Sequence, residues 1–179
     1  MSTKFAICLI ALLFVSASQE KEKMHPGKVI PNYGKIATVD ADMKLTAETK
    51  LKISFDVAGK SKDTTVNRSF DSAARFINLN VESGADPKNV KVAIVVHGTA
   101  SIDVTKSEFY SAANNGKENP NVEIIAGLLK NGTSIYLCGQ TAAWRDIEKK
   151  DLLPGVKLAP SAMTAHAILQ QDGFALCPF

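Results

Sequence analysis

The side chain best suited to chemistry in this sequence is Cys138, with His97 as its possible partner. Cys138 closes the run Ser134-Ile-Tyr-Leu-Cys138, which reads as a short buried strand. Gly139 then permits a tight turn, and Thr141-Ala-Ala-Trp144 can begin a helix. A thiol at a strand-to-helix junction meets backbone N–H groups and the positive end of a helix dipole. Both favour the thiolate, the form that acts as nucleophile or metal ligand. A cysteine there can equally be a small buried hydrophobe, and position alone leaves the two readings open.

His97 follows the run Val90–Val96, nearly continuous in β-branched and apolar residues, as a strand buried on both faces should be. Ligands of open parallel sheets bind beyond the carboxyl ends of the strands. His97 and Cys138 both stand at such ends, followed by Gly98-Thr99 and Gly139-Gln140, which become candidate substrate-binding residues. If the two strands are neighbours, imidazole and thiol lie close enough for His97 to act as base or to stabilise the thiolate. The alternative is a histidine that only bonds loop backbone. His166 falls mid-helix, where packing or surface exposure is the ordinary role. A metal site from His97, Cys138 and His166 lacks any paired CxxC or HxxxH spacing and ranks below both readings. GxGxxG after the first strand, GxxxxGK[ST] and GxSxG are all missing, so no cofactor is expected.

The elements that must position these residues follow from hydrophobic periodicity. Leu51–Val57 alternates apolar and polar residues as a strand. Phe70, Ala73, Ala74, Ile77 and Val81 form a helical stripe that Gly84 can end. Ser101–Gly116 permits a short helix. A better-marked helix is expected from the Asn119 cap and Pro120 to Lys130, with Gly132 as its stop. Val156–Ala159 reads as a strand, Ser161–Gln171 as a helix, and Phe174–Cys177 as a last strand. Alternation of this kind implies right-handed crossovers and an α/β fold with a mainly parallel sheet.

The chain has 179 residues, 45% hydrophobic and 22% charged, ordinary values for one domain with a real core. A net charge of +3 without a basic cluster gives nucleic acid no electrostatic footprint. Lys4, the apolar run Phe5–Val15 and Val15-Ser-Ala17 read as a signal peptide over 1–17, too short to span a bilayer. Cys8 lies inside the apolar run, which argues against lipoprotein processing. Cleavage would leave charge +2, two cysteines, an N-terminal extension over 18–50 and a domain over 51–179. The mature protein is then expected to be exported, periplasmic or secreted, with no membrane attachment. In an oxidising compartment a Cys138–Cys177 disulfide competes with any chemistry at Cys138. The extension, with Pro26, Gly27 and Pro31, reads as irregular and laid over the domain or across a neighbouring subunit. Trp144 reads as a core or subunit-contact residue. Asn67-Arg-Ser69 and Asn131-Gly-Thr133 match the N-glycosylation pattern.

Several separated motifs occur in order: Val-His-Gly-Thr-Ala100, Asn119-Pro-Asn-Val-Glu-Ile-Ile125, Leu-Cys-Gly-Gln-Thr141, Leu-Pro-Gly-Val156 and the closing Gly-Phe-Ala-Leu-Cys-Pro-Phe179. Together they resemble the exported branch of the DsrE/DsrF-like proteins, from about Ile30 onward. The resemblance implies a flavodoxin-like three-layer sandwich with about five strands, assembling as a homo-oligomer, often a trimer or hexamer. It also implies sulfur handling, with Cys138 in the place of the cysteine that carries persulfide in cytoplasmic relatives. Donor and acceptor proteins for that sulfur would be its partners. The rival expectation is a non-catalytic oligomeric module in which Cys138 is buried or disulfide-bonded.

Overall fold

The computed structural model describes residues 23–62 and 65–177. The expected signal peptide, with Cys8, and the closing Pro178-Phe179 lie outside them. Five strands alternate with helices: β1 (Leu51–Val57), α1 (Arg68–Glu82), β2 (Val90–Val96), α2 (Ser107–Ala113), α3 (Val122–Lys130), β3 (Ser134–Cys138), α4 (Gly139–Trp144), β4 (Lys157–Ala159), α5 (Ala162–Gln171) and β5 (Ala175–Cys177). All pairings are parallel, in the order β4-β3-β2-β1-β5.

That order dictates the layers. The chain steps β1 to β2 to β3 to β4 in one direction, so right-handed crossovers put their helices on one face. The return from β4 across the whole sheet to β5 runs the other way and delivers α5 to the opposite face. The two apolar clusters follow. The larger holds Phe70, Ile77, Ile94, Val96, Ile124, Leu128, Ile135 and Leu137 beneath α1, α3 and α4. The smaller, on the α5 side, is only Ala93, Val95, Ala159, Ala165 and Leu169, fringed by Tyr136, Ala162 and Phe174. At roughly 1.5–3 kcal/mol per large buried side chain, the first cluster carries most of the folding energy.

Helix α1 buries the stripe expected of it, Phe70, Ala73, Ala74 and Ile77, and Asn67 caps it by accepting from the Ser69 amide at 2.9 Å. Helix α3 begins at Val122, later than the Asn119 cap predicts. Asn119 instead donates to the buried carbonyls of Asp103 (3.0 Å) and Thr105 (2.8 Å) and accepts from the Asn121 amide (2.9 Å). Those carbonyls end the 3-10 turn Gly98–Val104 and need a partner more than the helix needs a cap.

The segment before β1 lies on its own domain, against α1. Asn78, 1% exposed, accepts from the Val29 and Ile30 amides and donates to the carbonyls of Ile30, Tyr33 and Gly34. Ile30 and Ile36 are buried beside it. A Cβ on Gly27 would stand 2.2 Å from the Asn78 side chain, so this close approach requires glycine. His25 pairs through its backbone with Ile36 and through Nε2 with Glu82 at 3.3 Å.

Candidate functional site

Helices following β3 and β4 leave for opposite faces of the sheet, so the carboxyl ends of these two strands open a crevice at the topological switch point. Cys138 is the last residue of β3 and so stands at that switch point. Along β3, Ile135 and Leu137 face the large cluster, so Tyr136 and Cys138 face the α5 side.

The sulfur is surrounded by donors. The backbone amides of Thr141, Ala162 and Gln140 and the Thr141 hydroxyl favour its thiolate. Burial pushes the thiol up, but these four donors outweigh it, and its pKa falls below the ordinary 9.0. Three of the four belong to the start of α4, from Gln140 and Thr141, and one to the start of α5 after β4, from Ala162. The Gly98 amide in turn donates to Thr141 Oγ1 at 3.4 Å, orienting that hydroxyl from the β2 end.

Gly139 makes the convergence sterically feasible. A Cβ there would stand 2.6 Å from the Ala159 carbonyl and 3.1 Å from that of Pro160, so the two strand ends approach only over a glycine. Gln140 stitches the same loop, donating from Nε2 to the Pro160 carbonyl at 3.3 Å. Cys138 is buried, keeping 6% of its surface exposed. Trp144, at the end of α4, is 87% exposed and Met163, in the first turn of α5, 80%. Trp144 is therefore not a core residue.

The two histidines converge on a residue that periodicity did not single out. His97 Nε2 lies 3.0 Å and His166 Nε2 2.8 Å from the same oxygen, Asp56 Oδ1. A carboxylate oxygen only accepts, so both imidazoles carry their proton on Nε2. Burial pushes Asp56 up, but the bonds from His166 and His97 prevail and hold its carboxyl below the ordinary range. Val96 pairs with Leu137, so the next residues, His97 and Cys138, end neighbouring strands. The His97 ring nonetheless leans away, toward β1 and Asp56. The immediate donors to sulfur are amides and a hydroxyl, not imidazole. Ser54 Oγ and His166 Nδ1 are buried with no hydrogen-bond partner.

Of the remaining candidates, Gly98 carries φ +56°, with the Ala58 carbonyl 3.0 Å from where its Cβ would stand. Thr99 is exposed and ties the loop after β1, donating to the Ala58 carbonyl and accepting from the Lys60 amide. The Cys138–Cys177 disulfide is not formed, and the topology forbids it within one chain. Strands β2 and β1 lie between β3 and β5, a separation of roughly 14 Å across three strand spacings. A disulfide spans Cα atoms only about 4.4–6.8 Å apart. Cys177, 7% exposed, packs in the large cluster. Among the described residues no group of three or more His, Cys, Asp and Glu side chains is arranged to hold a metal ion. Asn67 of the first glycosylation match is 4% exposed and bonded to Asp103, while Asn131 of the second is exposed at the end of α3.

Alternating β/α order with a cysteine at the switch point of a parallel sheet defines a thiol-bearing α/β sandwich. A sequence model of the DsrE/DsrF-like family matches residues 53–179, and the chain belongs to that family. The segment before β1 precedes the match. No curated protein matches the chain. Among solved structures, the protein of unknown function MTH1491 from Methanobacterium thermoautotrophicum is similar, with TM-score 0.53 and 16% identity, covering 73% of this chain and 100% of its own. The ychN protein of E. coli is similar at TM-score 0.53 and 16% identity, covering 72% and 99%. At such identities these two likenesses speak for the fold alone.

Proposed function

We propose that this protein handles sulfane sulfur, accepting it as a persulfide on Cys138 and passing it to a thiol acceptor. The observation that carries the reading is the place of Cys138, at the end of β3, paired with Ala159 of β4 and followed at once by α4 over a tightly packed Gly139; the amides and hydroxyl that favour its thiolate support it. Membership of the DsrE/DsrF-like family, associated with sulfur relay, supports it. In the accepting step the Cys138 thiolate attacks the outer sulfur of a donor persulfide. A new S–S bond forms at Sγ, the donor's S–S bond breaks, and the donor leaves as a thiolate that takes up a proton. The exchange is redox-neutral and needs no cofactor.

The rival module reading is favoured by the 6% exposure of Cys138. Against it, apolar packing of a cysteine requires no donors, and here there are four. The reading extends to assembly and address. Exposed Trp144 and Met163 beside the crevice suit contact with a second copy, as a trimer or hexamer, and the leading residues suit export. Mass spectrometry after incubation with a low-molecular-weight persulfide tests the central step. The peptide containing Cys138 should gain one sulfur atom, released by dithiothreitol, and a Cys138→Ala chain should gain none. Loading that survives this substitution would refute the assignment.

A further inference from the structure

The smaller face of the sheet poses a mechanical problem. Helix α5 is attached there through little apolar surface: Ala165 and Leu169 are its buried residues, while Met163 and Ile168 point to solvent at 80% and 53% exposure. Yet α5 begins beside Cys138, whose partner across the strands is Ala159, three residues before Ala162, with Gly139 packed against the Ala159 and Pro160 carbonyls; the Ala162 amide placed there favours the thiolate. Ala165 and Leu169, with Ala162 and Phe174 at the fringe, seat one side of the helix and leave its orientation over the sheet to polar contacts.

A polar clasp supplies the missing constraint. His166 stands four residues after Ala162, one turn along the same side of α5, and its side chain is 15% exposed. Its Nε2 donates to Asp56 Oδ1 at 2.8 Å, reaching across to β1, the fourth strand counted from the β4 edge. Asp56 is itself braced by His97 from the end of β2 at 3.0 Å. One carboxylate oxygen thus joins β1, β2 and α5 on the face where the thiol lies. The titratable groups on that side include Asp56, His97, Cys138, His166, Tyr136, Lys157, Lys91 and Lys52; the Lys157 ammonium lies 6.0 Å over the Tyr136 ring and the Lys52 ammonium 5.8 Å over the Phe174 ring. The groups that favour the Cys138 thiolate are all neutral.

We infer that His166 and Asp56 are positioning residues: their hydrogen bond clasps α5 to the sheet and so sets the acidity of Cys138 through the Ala162 amide. The inference rests on Cys138 being the reactive group. It acts through a bond donated by Nε2 and not through imidazole charge, which makes it separable by substitution. Glutamine carries an N–H donor near the position of Nε2, without a titrating ring.

The test is the pH dependence of iodoacetamide alkylation at Cys138, read by peptide mass spectrometry so that Cys177 does not interfere. His166→Ala should raise the midpoint by about 1 pH unit, and His166→Gln should stay close to the wild-type profile. If His166→Ala does not fold by circular dichroism, His166→Leu takes its place with the same expected shift. An unchanged midpoint in the alanine or leucine chain would overturn the clasp, and so would an equal shift in the glutamine chain. A wild-type chain that takes up no sulfur, while these variants follow the pattern, upholds the clasp and removes the carrier role. The two proposals therefore fail separately.

Discussion

The Cys138 thiolate is favoured by neutral groups, the amides of Thr141, Ala162 and Gln140 and the Thr141 hydroxyl. Each donor contributes, and the hydroxyl is the one a substitution can remove cleanly. Thr141→Val keeps the shape and the amide of residue 141 but deletes the O–H. It also takes away the acceptor of the Gly98 amide. Because hydrogen bonds to charged groups are worth about 1.5–3 kcal/mol, the alkylation midpoint of Cys138 should rise by about 1 pH unit or more. An unchanged profile would mean that the hydroxyl does not face the thiolate. Thr141 itself was visible in the sequence only as the start of a helix. Its role depends on a side chain turning back over the preceding strand end, which periodicity does not report.

At the scale of elements, the strands and the alternation of helices were legible because burial imposes period 2 on β1 and continuous apolar sequence on β2. Cys138 and His97 were legible for the same reason, as the residues at which buried strands end. Asp56 was not singled out, although it ends the polar face of β1 just as His97 ends β2. The carboxyl-end rule applied to the first strand would have found it. His166 looked like an ordinary helical residue because only the return of α5 across the sheet brings it over Asp56, and strand order is not written in periodicity. The extension before β1 was legible as irregular but not as anchored. Its anchor is Asn78, a polar residue on α1 one position past Ile77 of the apolar stripe. Asn78→Ala strands buried carbonyls and amides of residues 29–34, and should cost about 2–4 kcal/mol. Urea unfolding measures that loss, and limited proteolysis should show new cleavage within residues 23–45. A variant as stable and as resistant as the parent would refute the anchoring role.

For the whole molecule, the loops at the carboxyl end of the sheet are locked by a second polar cluster, away from the thiol. Asp103, 1% exposed, accepts from the Ser61 amide (2.7 Å), the Ser61 hydroxyl (2.9 Å) and Asn67 Nδ2 (2.7 Å). Burial pushes its carboxyl above the ordinary 3.8, and these bonds offset that only in part. A carboxyl raised on folding contributes stability that is present below its unfolded value and lost as pH rises through its folded value. Asp103→Asn lacks this titration. Its unfolding free energy relative to wild type should therefore rise as pH is taken upward from about 4. Denaturant melts across that range check it; a difference that stays flat or falls contradicts the assigned direction. Asp56 has the opposite sign, contributing above its unfolded value and losing that contribution as pH falls through its lowered one.

These scales meet at the sulfur of Cys138, which must be both reachable and easily ionised for sulfur handling to follow from the architecture. The most direct measurement is the rate of iodoacetamide alkylation of Cys138 in the native wild-type protein as a function of pH. The account predicts labelling at neutral pH faster than that of an ordinary thiol, with a midpoint below 9.0. A midpoint at or above that value, or a thiol that labels only on unfolding, would contradict it.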